Sequence, residues 1–159
     1  MASTHKKVIV RKLDRDAIQG YVAPAAFIAD GKLELLNTSG KMVLIDLKDI
    51  KGVYFVRDFN DSESIARKTF AARPRTEGLW VRIKFKDNDA MEGIMSNDLS
   101  QVPLEGFFIN PPDTRSNTQR IFVPRTALES FLVLSVIGGP QARRRKAAVP
   151  EAQVAMFTE

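Results

Sequence analysis

Apolar and polar residues alternate in short runs through most of this chain. In the stretch from Trp80 to Gly93, Val81, Ile83 and Phe85 fall on one side while Arg82, Lys84 and Lys86 fall on the other. That is the period-two signature of a half-buried strand. Asp87-Asn88-Asp89 breaks the run, a second runs from Met91 to Ser96, and WVRIKFKDNDAMEG therefore reads as a hairpin. Further extended runs are expected at Phe107–Asn110, Ile121–Val123 and Phe131–Ile137.

An earlier stretch carries the same pattern. KVIVRKLDRDAIQG, Lys7 to Gly20, lies 73 positions upstream, so that Asp14, Asp16, Ala17 and Gly20 fall on Asp87, Asp89, Ala90 and Gly93 without a gap. The same shift sets Leu33–Asn37 on Gly106–Asn110. Further on the shift is 78: Val43-Leu44-Ile45 falls on Ile121-Phe122-Val123, Ile50 on Leu128, and Val53-Tyr54-Phe55 on Phe131-Leu132-Val133. The five extra residues are placed in the loop Pro111–Gln119, where an insertion costs little. An internal duplication is expected.

The first half reads as strands at Lys7–Leu13, Ala17–Val22, Lys32–Leu36, Met42–Leu47 and Gly52–Val56. Gly20 marks a bend, Asp30-Gly31 and Thr38-Ser39-Gly40 mark turns, and Lys48–Lys51 is short enough for a single tight turn. Five bent strands in about 50 residues predict a small closed barrel that pairs most of its edges. Units of this size are marginal alone, so the halves should pack on each other or on a second chain.

VLIDLKDIKGVYFV and IFVPRTALESFLVL resemble the closing strand–turn–strand unit of the SH3-like and Sm-like barrels, in which a glycine bends the second strand and a tight turn joins the fourth to the fifth. The resulting expectation is a mainly all-β chain of two tandem five-stranded SH3-like/Sm-like barrels at residues 1–56 and 79–137. A basic linker, 57–78, would join them, with a short helix capped at Asp61-Ser62, running to about Phe70 and stopped before Pro74. A flexible tail, 138–159, would follow. The segments GVYFVRDF, GLWVRIKF and PPDTRSNTQRIFVPR also resemble a family of bacterial domains of unknown function, over nearly residues 7–137. That resemblance implies the barrel pair and brings no activity or site residues with it.

Composition narrows the function classes. The chain is 44% hydrophobic and 27% charged, as a soluble globular protein is, and it has no cysteine, which removes disulfides and thiolate chemistry. Arg11 interrupts the apolar run after MASTHKK, and no stretch approaches the roughly 18 apolar residues of a membrane span. A cytoplasmic protein is expected. The net charge of +5 is uneven: residues 79–137 carry six Lys/Arg against seven acids, whereas residues 1–56 carry nine against six.

Material for catalysis is scarce. His5 is the only histidine, so no Ser-His or Cys-His arrangement forms within one chain, and no glycine-rich loop opens a helix as a phosphate cradle. No enzyme activity, cofactor or metal is expected. The pairs Asp14/Asp16 and Asp87/Asp89 are assigned to turn chemistry. Arg67, Lys68, Arg73 and Arg75 form a basic set that suits a phosphate, unless they are spent on the linker acids Asp58, Asp61, Glu63 and Glu77. Asn110, Arg115, Asn117, Arg120 and Arg125 surround the inserted loop as a candidate interaction surface. Trp80, the sole tryptophan, is read as packing at the junction of the halves rather than as a base-stacking platform. Arg143-Arg144-Arg145-Lys146 is read as a solubilising tail.

These features favour a binding or regulatory module acting through protein partners. RNA or single-stranded nucleic-acid binding is the alternative, and homo-oligomerisation through barrel edges is a further expectation. A third reading compares the chain with PilZ-type cyclic-dinucleotide receptors, small barrels preceded by an R-x-x-x-R segment and carrying D/N-x-S-x-x-G. Arg73 and Arg75 stand one residue apart, Met42 replaces the glycine after Asn37-Thr38-Ser39, and that motif precedes the arginines, so the match is partial.

Overall fold

The computed structural model describes residues 5–59, 68–98, 100, 104–113 and 116–138. The architecture is mainly β. The first half contributes β1 (Lys6–Lys12), β2 (Ala17–Val22), β3 (Ile28–Ala29), β4 (Lys32–Asn37), β5 (Met42–Asp46) and β6 (Ile50–Val56). The second contributes β7 (Gly78–Phe85), β8 (Ala90–Met95), β9 (Gly106–Ile109), β10 (Thr118–Pro124) and β11 (Leu128–Ile137). Single 3₁₀ turns, Leu47–Asp49 and Arg125–Ala127, precede β6 and β11. The one-turn break expected before each closing strand is therefore present. The two-residue β3 lies in the apolar stretch after Pro24, where no strand was expected.

The strands do not sort into two separate closed barrels. One sheet runs β3-β4-β2-β1-β6-β10-β9 with β5 added to β4, and the other runs β11-β7-β8. Strands β9 and β10, expected in the second barrel, continue the sheet of the first half, because β6 pairs with β1 on one edge and with β10 on the other. The small sheet reaches β9 through the bridge Ile94↔Asn110. Of the expected linker helix, only Lys68–Phe70 are described, and they are not helical; its remainder and the tail beyond Gly138 lie outside the described residues.

Continuous apolar runs explain why β1 and β6 sit at the centre. Val8 and Val10 enter a core with Leu33, Leu35, Val53, Phe55 and Phe122, whereas Ile9 and Tyr54 enter a second core with Val81, Ile83, Phe85, Phe107 and Ile121. Both faces of these strands are covered, which is what a run without polar alternation requires. Tyr54 is so deeply placed that burial pushes its phenol well above its ordinary range.

Strand pairing recurs at the shifts seen in the sequence. Val8↔Gly20 and Arg11↔Ala17 have counterparts in Val81↔Gly93 and Lys84↔Ala90. Val8↔Phe55, Ile9↔Tyr54 and Val10↔Val53 have counterparts in Val81↔Val133, Arg82↔Leu132 and Ile83↔Phe131. One segment needs adjustment. Glu34↔Leu44 and Leu35↔Val43 correspond to Phe108↔Phe122 and Ile109↔Ile121, so β9 follows β4 at a shift of 74 rather than 73. The five extra residues therefore divide, with one before β9 and four after it.

Candidate functional site

The hairpin turns are built alike. In the first, Lys12 N donates to Asp16 O and Arg15 N to Lys12 O, while Asp14 Oδ1 accepts from Asp16 N at 2.9 Å. In the second, Phe85 N donates to Asp89 O and Asn88 N to Phe85 O, while Asp87 Oδ1 accepts from Asp89 N at 3.1 Å. Arg15 and Asn88 hold equivalent left-handed positions, at φ 75° and 72°. The four aspartates thus serve the backbone, as their turn context suggests.

Both turns border one polar cleft of about 580 Å³. Arg15 and Asp16 come from the first turn, Asp87, Asn88 and Asp89 from the second, and Arg11, Lys12, Lys51 and Lys68 complete the lining. Lys51 Nζ lies 3.0 Å from Asp87 and 2.7 Å from Asp89, and 5.0 Å from the Phe85 ring centroid. Lys68 pairs with Asp89 at 2.6 Å. Burial raises the pKa of both carboxyls, but the hydrogen bond and charge of Lys51, joined at Asp89 by Lys68, outweigh it and hold them below the ordinary carboxylate value. Lys51 and Lys68 are paired with carboxylates and the Arg11 guanidinium lies 5.3 Å from the Tyr54 ring centroid, while Lys12, Arg15 and Asp16 complete the lining. The cleft lining carries five Lys/Arg side chains and three aspartates, an excess of positive charge.

The linker set is divided by the fold. Lys68 turns to Asp89 in the turn just before β8, and its carbonyl accepts from Glu92 N in that strand. Arg73 donates to Ser135 Oγ at 3.1 Å and to the Val136 carbonyl at 3.4 Å, both in β11. Since β7 separates β8 from β11, these two cations serve different strands. Arg75 is exposed, and Arg67 lies outside the described residues.

The loop set is also divided. Asn117 is buried: its Oδ1 accepts from Arg57 N and Asp58 N, and its Nδ2 donates to Asp58 O at 2.9 Å. It therefore fastens the end of β6 rather than presenting a surface. Arg120 is half-buried over the rings of Phe108 and Phe55, 4.2 and 4.8 Å from their centroids, and burial lowers its pKa. Asn110 bridges to Ile94 through its backbone, Arg125 is exposed, and Arg115 lies outside the described residues.

Glu92 is a further polar centre that the residue types alone do not single out. This buried carboxylate accepts from Phe70 N, Trp80 Nε1 and Arg82, each at 3.1 Å. Burial raises its pKa, and these donors outweigh burial and lower it. Phe70 also packs edge-on against Trp80, which places the tryptophan at the linker junction. The signal was available in the hairpin register, which sets Glu92 opposite Arg82.

Among the described residues no three His, Cys, Asp or Glu side chains gather as metal ligands, and no helix is long and apolar enough to cross a membrane. The family of unknown function DUF6982 matches residues 4–135, most of the chain and both halves together. The chain belongs to that family. No curated protein and no solved structure matches this DUF6982 chain significantly.

Proposed function

We propose that this DUF6982 protein is a non-enzymatic binding module, built from a duplicated strand unit, that acts through protein contacts at its strand edges. The observation that carries the reading is β11. It has ten residues, pairs only with β7 among the described strands, and exposes Phe131, Leu132, Val133 and Val136. Soluble proteins usually blunt such an edge with lysine, proline or a short strand. LESFLVLSVI has neither residue, and its one charge, Glu129, is paired with Lys84 at 3.1 Å. Strand addition there would combine main-chain hydrogen bonds with apolar contact.

Affinity capture from nuclease-treated lysate tests the reading by comparing the natural chain with Leu132→Lys. A discrete protein retained by the first and lost by the second is expected. Equal retention by both, or retention that disappears with nuclease, counts against it. Lys12 and Arg15, both lining the cleft, favour a second reading, single-stranded nucleic acid. In that case binding weakens steeply with salt and falls further with Lys12→Ala and Arg15→Ala together.

A further inference from the structure

The β6–β10 pairing joins the two halves of one chain, and among the described strands its counterparts have no second strand partner. β10 corresponds to β5 and β6 to β11, both at the shift of 78. Among the described strands, β5 pairs only with β4, and β11 only with β7. From these observations, we infer that β5 of one copy of this chain pairs antiparallel with β11 of a second copy, so that copies associate head to tail. The inference rests on β11 being a protein-binding edge, and it names the partner.

The internal junction supplies the register. Arg120↔Phe55, Ile121↔Tyr54 and Phe122↔Val53 translate to Met42↔Val133, Val43↔Leu132 and Leu44↔Phe131. In the internal junction Val53, Tyr54 and Phe55 are 0–4% exposed, and Phe122 is 1% exposed. At the open ends Met42 and Leu44 are each 59% exposed, and Phe131, Leu132 and Val133 are 41%, 53% and 44% exposed. Seven large hydrophobic side chains are exposed among the described residues, and five of them fall in these three pairs. Two edges that differ from each other but match a junction already formed within the chain make a heterologous contact, which grows into a ring or a filament rather than stopping at two copies. An isologous β11–β11 contact would leave Met42 and Leu44 exposed.

Sedimentation or light scattering of the full chain tests the inference. The natural chain should form species larger than two copies of the 17.8 kDa monomer. Leu44→Lys and Leu132→Lys, both at exposed positions, should each be monomeric alone. An equimolar mixture should give a one-to-one dimer, twice the monomer mass, because the first variant keeps its β11 edge and the second keeps its β5 edge. In the cysteine-free background, Leu44→Cys with Phe131→Cys in one chain should yield a disulfide ladder on oxidation, whereas either cysteine alone should not. A dimer of Leu44→Lys by itself overturns the inference in favour of β11–β11 pairing. A natural chain that stays monomeric at high concentration also overturns it. If that monomer still captures a protein through Leu132, the reading of β11 as a binding edge stands and only the partner is wrong; if it captures none, both fail.

Discussion

Lys51 Nζ and Asp89 Oδ2 meet at 2.7 Å, tying the closing strand of the first half to the hairpin turn of the second. Lys51 also holds Asp87, and its side chain is only 12% exposed. Lys51→Met would leave two clustered carboxylates with Lys68 as the remaining cationic partner among the described residues, on Asp89. Both aspartates are partly solvated, so the expected loss is about 1–2 kcal/mol, read as a lower thermal midpoint. The pH dependence has a definite sign. Both carboxyls titrate below their ordinary value in the folded chain, so their stabilisation is full above the unfolded pKa and is lost as pH falls through the folded values, below about pH 4. Acid unfolding of Lys51→Met should therefore be shallower than that of the natural chain across this window. An unchanged acid limb would contradict the linkage.

Glu92 gives a second acid-sensitive contact with its own optical readout. It receives the Trp80 indole N–H at 3.1 Å, and Trp80 is the only tryptophan. Glu92→Ala strands that donor and the Phe70 amide, and removes the partner of Arg82, at an expected cost of about 2–4 kcal/mol. Tryptophan emission should shift to the red. Because the carboxyl pKa is lowered in the folded state, the natural chain should show the same shift as pH falls through the folded pKa, and Glu92→Gln should lack that titration. Emission that does not respond to either substitution would argue against this placement of Trp80.

Local chemistry made much of this fold legible, and the pairing of its edges was not. The Asp-x-Asp turns were readable because aspartate at those positions bonds its own backbone, and the strand–turn–strand units were readable from apolar runs broken by a single turn. What β6 pairs with on its second edge leaves no mark in a local pattern. An apolar strand accepts β10 as readily as it closes its own barrel, and only the structure distinguishes these outcomes. LELLN and GFFIN are apolar in either register, so their pattern does not separate a shift of 73 from one of 74 at β9; burial of Leu33 with Phe107 and of Leu35 with Ile109 decides for 74. The linker and loop cations clustered in sequence, but Lys68 and Arg73 were drawn to strands on opposite sides of β7, and Asn117 turned inward to open backbone groups.

Asn117 makes three bonds to the backbone of Arg57 and Asp58 from a buried position. Asn117→Ala would remove the side-chain amide from Asp58 N and O, while Arg57 N keeps the Asn117 main-chain carbonyl at 3.0 Å, with an expected loss of about 1–3 kcal/mol. Asn117→Asp should recover part of it, since a carboxylate accepts from both amides but cannot donate to Asp58 O. Hydrogen exchange at the Asp58 amide should rise in the alanine variant and less in the aspartate variant. Protection equal to the natural chain would place the clamp elsewhere.

Gly93 and its counterpart Gly20 let a neighbouring strand cross close to the hairpin. A Cβ on Gly93 would sit 2.9 Å from Asn110 O and 3.1 Å from Ile109 Cδ1; one on Gly20 would sit 2.6 Å from Leu36 O. The obstructing oxygens belong to backbone, so neither contact relaxes by a rotamer change. At Gly93 the crowded residue is also the one that links β8 to β9 through Ile94↔Asn110. Gly93→Ala should cost about 2–3 kcal/mol by overpacking, seen as a lower denaturant midpoint at unchanged slope. Hydrogen exchange should locate the damage at the Ile94 and Asn110 amides, which bond each other's carbonyls at 2.9 and 2.8 Å. A neutral substitution, or one whose damage appears elsewhere, would mean that β8 and β9 do not cross at this glycine.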